Sequence, residues 1–531
     1  MPDFQITFID IFIVIAYLAI TIAIGIWLGS KGNDTAEGYF LGGRNFIWPL
    51  VGLSLFASNQ SGASIVGLSG AGYDTGIAQG YNYEWTGAIA LMFFLVFFLP
   101  FYLRSGVYTT PEYLERRYDR RSRYVFSVFL IFANVFIDLA AALYAGSLVI
   151  QVLYPSVQLW QAIAVLAIVA GVYTVLGGLA AVVITDAIQA VVLIIGSTII
   201  TFFVFGRIDS WEQVEAAAPD RAFSLIQPAS DPVIPWPGLI TGVMLLSIWY
   251  FCINQYVVQR TLGSKNLDHG RMGSLAGGAL KLSLLFIIIL PAVAANVLYP
   301  DLENPDAVWP TLAFDLLPIG FRGLVLAALV AAIMSSVDSI LNSASTIITM
   351  DFVSTINPDA EQRTLVVAGR IATVVLLVVA MVWAPQISRF ETLWTYLQAI
   401  VSFTVPPALA ISLVGLFWKR SSPAGAFITL IIGLPIGIVG FFLTQVPSLQ
   451  LFEIQFLYAA TALTIFNVAV LVVASLATAA PSREQMERYT WSVELLREDS
   501  RELRGKPWYW NYRYWSVALL VVTAAIVIYY F

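Results

Sequence analysis

The sequence contains few of the side chains that most enzymes and nucleic-acid-binding proteins use. Its 531 residues include one cysteine and one histidine, and only 11% of them are charged. The single Cys252 excludes an intramolecular disulfide, and Cys252 with His269 is too little for a Cys/His metal site. The net charge of −6 gives no reason to expect nucleic-acid binding. No nucleophile–base pair, metal motif or nucleotide loop is evident, so nothing in the sequence supports an enzyme.

Apolar residues dominate what is present. Hydrophobic side chains make up 59% of the chain and charged ones only 11%, whereas soluble domains contain about 25% charged residues. Runs of about 20 apolar residues recur, and each is long enough to cross a bilayer. We therefore predict an all-α polytopic membrane protein with about fourteen transmembrane helices. The first apolar run has no basic leader and no A-x-A cleavage site, so we interpret it as a helix rather than a signal peptide.

Lysine and arginine are concentrated in alternate loops. Six arginines lie within Arg104–Arg123, whereas Gly72–Asn82 and Tyr299–Trp309 contain no basic residue. With fourteen spans, Arg260 and Arg271 fall on the same side of the membrane as these six arginines. Basic loops mark the cytoplasmic side, which predicts that both termini are extracytoplasmic. The charged segment Pro481–Tyr512 is expected to lie along the cytoplasmic surface before the last span.

One apolar stretch in the second half carries polar side chains in helical register. Ser335, Asp338, Ser339 and Asn342 are spaced three and four residues apart and share one helix face. An ionisable group inside a membrane usually faces a partner, a cavity or an ion path. Serine and aspartate oxygens suit a hard cation such as sodium. For the serines alone, close helix packing is the alternative.

A second polar interruption lies in the second predicted span. The residues Ala57–Ser64 read Ala-Ser-Asn-Gln-Ser-Gly-Ala-Ser, which a continuous membrane helix would tolerate poorly. An unwound segment would free backbone carbonyls to hold a cation where they line a cavity. The alternative is a packing face of small residues.

Ionisable residues also occur one at a time in other spans, at Glu84, Asp138, Asp186 and Lys281. The third span is expected to start near Tyr83, which puts Glu84 at its external end. Each could be a structural ion pair, but together they favour a polar path through a helix bundle. Tyr250, Phe251 and Gln398 add aromatic faces and an amide. This combination favours a neutral polyol as the substrate, since no uncompensated charge is evident for a charged one.

These residues give the chain its resemblance to the sodium/solute symporters, and within them to the sodium/glucose–galactose branch of bacterial type. The resemblance runs from about Tyr39 to Trp418. The matching stretches are Gly52–Asn59, Gly67–Tyr73, Tyr83–Trp85, Thr110–Tyr113, Tyr173–Val182, Thr185–Asp186, Asn254–Leu262, Leu280–Leu282, Ser335–Ser336 and Met350–Asp351. The resemblance implies a plasma-membrane importer that couples sugar uptake to sodium, the coupling ion. No protein partner is predicted.

The resemblance also implies a leucine-transporter-type core of two inverted five-helix repeats around a midplane site. The expected units are an N-terminal helix and loop (1–45), a first repeat (46–206), an external loop (207–236), a second repeat (237–418) and C-terminal helices (419–531). The discontinuous helices would be those near Asn59 and Tyr250.

Site residues follow from the same resemblance. The substrate site would comprise Asn59, Ser64, Glu84, Ser247, Tyr250, Phe251, Lys281 and Gln398. The outer gate would use Leu68, Tyr83 and Trp394, and the inner gate Tyr250. The sodium site would use carbonyls of Ala57, Gln60 and Ala332 with the hydroxyls of Ser335 and Ser336.

The chain departs from the resemblance at several positions, which leave the identity of the sugar open. Ser64 replaces a longer polar side chain, and Asp138 stands where relatives vary between Asn and Lys. Asp338 stands where two-sodium relatives carry Ser or Thr. With Asp186, Ser335 and Ser339, Asp338 would form a second sodium site; alternatively, it shares a proton with Asp186 or pairs with an arginine.

Three other functions are weighed against sugar import. The first is a symporter of the same fold for inositol, sialic acid or an organic acid. The second is a sodium-dependent channel or sensor, and the third is a membrane enzyme, which no motif supports. Concentrative uptake would exclude a channel.

Overall fold

The structure is a computed structural model that describes residues 7–29, 34–154, 156–389, 393–446 and 449–531. Helices account for nearly all regular structure in the described residues, where extended pairing is limited to two isolated β-bridges, Phe46 with Ser264 and Gln227 with Pro235. This confirms the predicted all-α class.

Nine helices of the described chain are long and apolar enough to cross a membrane, and counting each bent pair as one span gives twelve. The discontinuous stretch Trp48–Thr75 and the shorter helix Leu159–Val172 bring the number to the predicted fourteen. In chain order they are α1 (Phe8–Gly29), α2 (Trp48–Asn59 and Gly62–Thr75), α3 (Ile77–Phe97), α4 (Arg120–Leu148), α5 (Leu159–Val172), α6 (Gly177–Phe205), α7 (Trp236–Cys252 and Gln255–Leu262), α8 (Leu267–Leu298), α9 (Phe321–Ile356), α10 (Gln362–Ile387), α11 (Leu393–Thr404 and Pro406–Phe417), α12 (Pro423–Gln445), α13 (Phe456–Ala477) and α14 (Tyr512–Tyr529).

The helices sort into a buried core and a lipid-facing shell. Helix α9 is almost entirely buried, and it packs against α1, α4 and α6. Helix α2 packs between α8 and α9. Helices α1 and α14 bury few of their side chains, and Phe12 and Val521 are among the exposed ones. Because lipid supplies no hydrogen bonds, an uninterrupted helix satisfies its own backbone in this shell. Interruptions are tolerated only in the interior.

Two interior breaks coincide with the predicted discontinuous helices. The first segment of α2 ends at Asn59, and Ser61 caps the second segment by accepting a hydrogen bond from the Ser64 backbone N–H at 3.0 Å. Helix α7 bends by 46° at Ile253–Asn254, just after Tyr250. A third break separates α5 from α6 at Gly178, whose φ of +58° is a conformation that glycine adopts readily. The breaks in α2 and α7 place backbone groups in the buried interior of the bundle.

Both ends of the chain lie on the same face of the bundle. The Tyr530 carbonyl accepts a 2.7 Å hydrogen bond from the Leu225 N–H in the loop before α7. The Asp10 carboxylate caps the start of α9 by accepting hydrogen bonds from the Gly320 and Gly323 N–H groups at 2.9 Å. This common face agrees with an even number of spans. Which side of the membrane it faces stays a prediction.

Several basic residues of the opposite face are buried, although their positions near the ends of predicted spans suggested exposed loops. Arg271 is buried and binds Asp499 of the segment before α14 at 2.5 Å. Arg117 donates to three backbone carbonyls, that of Gly415 at the end of α11 and those of Trp418 and Ser421 just after it. The assignment of Arg260 to a cytoplasmic loop is wrong: Arg260 lies in the second segment of α7 and is fully buried. The division into two repeats with flanking units stays a prediction.

Candidate functional site

A cavity of about 190 Å³ lies between the two broken helices and α3, α4, α8, α9 and α11. The structure brings all the predicted substrate residues to its wall: Asn59, Ser64, Glu84, Ser247, Tyr250, Phe251, Lys281 and Gln398. Leu68 and Tyr83 of the predicted outer gate also line it. The prediction for Trp394 lies outside the described side chains. The roles of these residues in binding stay predictions.

A buried ion pair forms the most polar part of the wall. Lys281 Nζ donates to Glu84 Oε2 at 2.6 Å and also binds the Asn59 side-chain oxygen. Gln60 Nε2 donates to the same Asn59 oxygen at 3.0 Å. Helix α3 begins at Ile77, earlier than the predicted start near Tyr83, which places Glu84 two turns inside the span. At this depth each charge needs the other, because an isolated ion in the membrane interior is costly.

Close approach of Lys281 to α3 depends on a glycine. A Cβ added at Gly87 would lie 2.6 Å from Lys281 Cε and 2.7 Å from Phe251 Cε2. The Lys281 ammonium lies 5.0 Å from the centroid of the Phe251 ring, within cation–π range. The small residue therefore lets the ammonium contact both Glu84 and the ring.

Aromatic rings and hydroxyls form the rest of the wall. The rings of Tyr250 and Phe251 meet edge to face with centroids 5.0 Å apart, and the Tyr256 hydroxyl donates to that of Tyr250. The Ser247 and Thr86 hydroxyls are 3.0 Å apart. Flat apolar faces beside hydroxyl, amide and charged groups suit a polar ring with several hydroxyls.

Asp138 of α4 also lines the cavity, and the sequence reasoning did not place it there. Among the described residues it makes no ion pair and no hydrogen bond. The expectation that the site holds no uncompensated charge is therefore wrong. The resemblance marked Asp138 as a departure from relatives that carry Asn or Lys, but its lack of an ion-pair partner among the described residues is a tertiary property.

A second buried network is centred on the Asp186 carboxylate of α6. Ser54 and Ser335 each donate a 2.6 Å hydrogen bond to it, and Ser58 donates one at 3.1 Å. The Arg260 guanidinium approaches Asp186 Oδ2 to 3.6 Å. Both charged residues are fully buried. Arg260 therefore supplies a counter-charge that the sequence reasoning missed.

Arg260 holds this network together across three helices. It donates to the Ser58 hydroxyl at 3.1 Å and also binds the Ser339 hydroxyl and the Tyr256 carbonyl. The Ser58 and Ser339 hydroxyls are themselves 3.0 Å apart. The one clue in the sequence was the position of Arg260 on an apolar helix after a break, where a membrane protein places a charge only with a partner.

The predicted sodium ligands lie where the break of α2 meets α9. The Ala57 carbonyl accepts from the Gln60 N–H at 3.2 Å, and Ser336 donates to the Ala332 carbonyl at 3.2 Å. A Cβ added at Gly62 would lie 2.4 Å from Ile333 Cγ1, so the two helices are in close contact here. Carbonyl and hydroxyl oxygens are the donors that a hard monovalent cation takes. The chemistry of this set fits sodium.

Asp338 is fully buried and does not line the cavity. It interacts electrostatically with Arg260 and with Tyr17 of α1. Tyr17 also faces Thr21 and Gln189, and the polar atoms of these three side chains make no hydrogen bond of normal geometry. The N-terminal helix therefore adds oxygen atoms beside Asp338, which the sequence reasoning did not foresee.

Comparison with known proteins adds a family and several relatives. The family described as "Sodium:solute symporter family" matches residues 39–433. The chain is 35% identical to the zebrafish (Danio rerio) sodium/glucose cotransporter 4, over 94% of this chain and 83% of that protein. It is 36% identical to mouse (Mus musculus) sodium/myo-inositol cotransporter 2 and 32% identical to rabbit (Oryctolagus cuniculus) sodium/glucose cotransporter 1. These matches cover 91% and 93% of this chain and 79% and 82% of the relatives.

Solved structures share the fold. A substrate-bound, outward-open Na⁺-coupled sialic acid symporter aligns with a TM-score of 0.79 at 21% identity, over 90% of this chain and 100% of that one. The nucleobase-cation-symport-1 family transporter Mhp1, in a closed conformation, aligns with a TM-score of 0.52 at 12% identity, over 86% of this chain and 99% of that one. At these identities the likeness concerns the fold alone.

Proposed function

Because the chain belongs to the sodium:solute symporter family, we propose that it imports a monosaccharide or an inositol together with sodium. The observation that carries the proposal is the pair of neighbouring side chains at the break of α2. Asn59 contacts Lys281 in the cavity, while Ser58 contacts Asp186 in the buried network. One backbone segment thus joins a polar cavity to a set of oxygen atoms of the kind that bind a cation. The relatives named above are vertebrate proteins, so a bacterial origin stays a prediction.

The cavity offers the groups that a polyol needs. Glu84 accepts, Lys281 donates, and Asn59 and Gln398 can do both. Tyr250 and Phe251 offer faces for the apolar surface of a ring. Leu68 and Tyr83 at one end would close the outer gate, and Tyr250 beside the bend of α7 would form the inner gate. The cavity is ringed by side chains, which favours a bound solute over an open water path.

Sodium would bind the carbonyls of Ala57, Gln60 and Ala332 and the hydroxyls of Ser335 and Ser336. Its binding requires these oxygens to converge across the contact between α2 and α9. The same contact positions Asn59 and therefore Lys281. Sodium would thus favour the state in which the sugar site is formed. Coupling requires that sodium bind one conformation better than the other.

A second sodium would bind among Asp186, Ser335, Asp338 and Ser339. Arg260 already interacts with Asp186 and Ser339, so sodium would compete with a tethered cation for the same oxygens. The formal charge of the two carboxylates and Arg260 is −1, which leaves one negative charge for a bound cation to balance. A proton shared by the carboxylates remains the alternative. The sodium Hill coefficient for uptake, near two or near one, separates them.

The membrane orientation follows from the positive-inside rule. The face that carries Arg104, Arg120 and Arg121 would be cytoplasmic, which puts both termini outside. Protease protection of a tag at either terminus in right-side-out vesicles tests this: both tags are expected to be cleaved from outside.

Uptake into proteoliposomes tests the proposed function. Initial rates would be measured for radiolabelled glucose, galactose, myo-inositol and sialic acid, with an inward sodium gradient and with an equal potassium gradient. We expect sodium-dependent uptake of at least one of the first three, and competition among those that bind. Lys281→Met should abolish it, whereas Lys265→Met, at an exposed position, should leave it unchanged. Uptake of sialic acid alone would replace the sugar with an acid, and equal rates in both gradients would contradict sodium coupling.

A further inference from the structure

The cavity wall carries one negative charge more than it balances. Glu84, Asp138 and Lys281 are the three charged side chains along the described part of the wall. Lys281 and Glu84 neutralise each other at 2.6 Å. Asp138 lies on another helix, α4, and makes no ion pair or hydrogen bond with the described residues. The formal charge of the wall is therefore −1.

The surroundings of Asp138 make this imbalance consequential. Ile137 and Ala141, which are next to it on α4 and also line the cavity, are buried and apolar. The hydroxyl pair of Tyr250 and Tyr256 is close enough to interact with it electrostatically, but supplies no positive charge. An unpaired carboxylate in the interior of a membrane protein is costly and marks an ion or substrate position. The missing partner is thus expected to arrive with the ligand.

Three kinds of ring can be compared at this site. A neutral polyol can donate hydrogen bonds to Asp138 but leaves the charge in place. An anionic sugar adds a second negative charge. A sugar or cyclitol with a protonated amine donates hydrogen bonds in which both partners are charged, and it also neutralises the carboxylate. The faces of Tyr250 and Phe251 also attract a cation.

We propose that the cavity takes an amino sugar or an aminocyclitol, with Asp138 binding its ammonium group and the Glu84–Lys281 pair binding its hydroxyls. This rests on the proposed function and names the substrate class of the same site. Acidic sugars are rejected, because the carboxylate would repel them with no free cation to offset it. Asp138 thereby selects among rings of equal size by charge.

Three probes that share one ring test this selection. Sodium-driven uptake of glucosamine, glucose and glucuronate would be compared in proteoliposomes. In the wild type, we expect KM for glucosamine to be lower than KM for glucose by about tenfold, and glucuronate not to be taken up. Asp138→Asn should remove the difference between glucosamine and glucose while glucose uptake continues. Asp209→Asn, in an exposed loop, is the matched control and should keep the preference.

The outcomes separate this inference from the proposed function. If the wild type takes up glucose with sodium at a KM equal to or below that of glucosamine, or takes up glucuronate, the amine preference is refuted and sodium–sugar coupling stands. If none of the three enters with sodium, the amine preference fails, and the proposed function then depends on sodium-driven uptake of galactose or myo-inositol. The wild-type comparison decides the matter even where Asp138→Asn does not fold. A preference that survives in a folded Asp138→Asn would remove the role of this residue.

Discussion

The buried pair between Lys281 and Glu84 yields the sharpest stability prediction. Replacing Lys281 with Met keeps much of the side-chain volume but removes the ammonium from a position that is 2% exposed, leaving Glu84 buried without a counter-charge. Removing one partner of a buried ion pair costs about 3–5 kcal/mol. Asn59 and Phe251 also lose their contacts with the ammonium, so we expect a loss in the upper part of that range.

The double variant Glu84→Gln/Lys281→Met distinguishes stability from function. It removes both charges, and replacing a buried pair by uncharged groups is often neutral or stabilising. We therefore expect the double variant to recover most of the lost stability and yet to remain inactive in uptake, because the cavity has lost its charged donor and acceptor. Each single variant should be inactive as well as less stable.

Thermal unfolding of the detergent-solubilised protein, followed by tryptophan fluorescence, measures the loss of stability. Sodium-driven uptake into proteoliposomes measures the loss of transport. The predicted cost of leaving Glu84 unpaired is refuted if the free energy of unfolding of Lys281→Met lies within about 1 kcal/mol of the wild-type value. It is also refuted if the double variant is as unstable as Lys281→Met. Either result would mean that Glu84 finds another partner or is solvated in the cavity.

Three further predictions follow from single contacts. Gly87→Ala should raise the KM for the sugar by displacing the Lys281 ammonium. The control is Gly505→Ala, whose added Cβ would have no neighbour nearer than 3.9 Å and should leave the KM unchanged. An unchanged KM in Gly87→Ala would show that the cavity wall adapts to the methyl group. Arg260→Met should lower stability by about 3–5 kcal/mol by leaving Asp186 without its buried partner, and added sodium should restore part of it if the two cations compete; no effect of sodium would contradict that competition. Burial alone would raise the pKa of Asp499, but its ion pairs and hydrogen bonds bring that pKa below the ordinary 3.8. The contribution of Asp499 to the free energy of unfolding is therefore present above pH 3.8 and is lost as the pH falls through the lowered pKa. Asp499→Asn should flatten this acid limb of the curve of stability against pH, and an unchanged limb would show that Asp499 does not cause it.

The two breaks show how far the sequence could predict the fold. The run around Asn59 contains amides and hydroxyls that an uninterrupted membrane helix does not need, so its composition alone predicted an unwound segment. The class and the number of spans followed from apolar runs of about 20 residues. The boundaries were less accurate: α3 begins at Ile77, because residues at the ends of a span are less apolar than its centre.

The site was predictable in its members and less so in its pairings. Lys281 and Glu84 were both recognised as intramembrane ions, but they are 197 residues apart in sequence, and no spacing rule places them 2.6 Å from each other. Arg260 was assigned to a loop because a count of basic residues near span ends does not distinguish a loop from a buried helix. Asp138 looked like the other intramembrane carboxylates, since only the packed bundle reveals that it has no ion-pair partner among the described residues.

The most direct test of coupling starts without any sugar gradient. Proteoliposomes would hold the same concentration of radiolabelled glucose inside and outside, with sodium higher outside and the membrane potential clamped. The account predicts net accumulation of glucose inside, which a sodium ionophore abolishes and which Lys281→Met does not show. If the inside and outside concentrations stay equal while labelled glucose exchanges freely, sodium does not drive transport, and the proposed link through Ser58 and Asn59 is wrong.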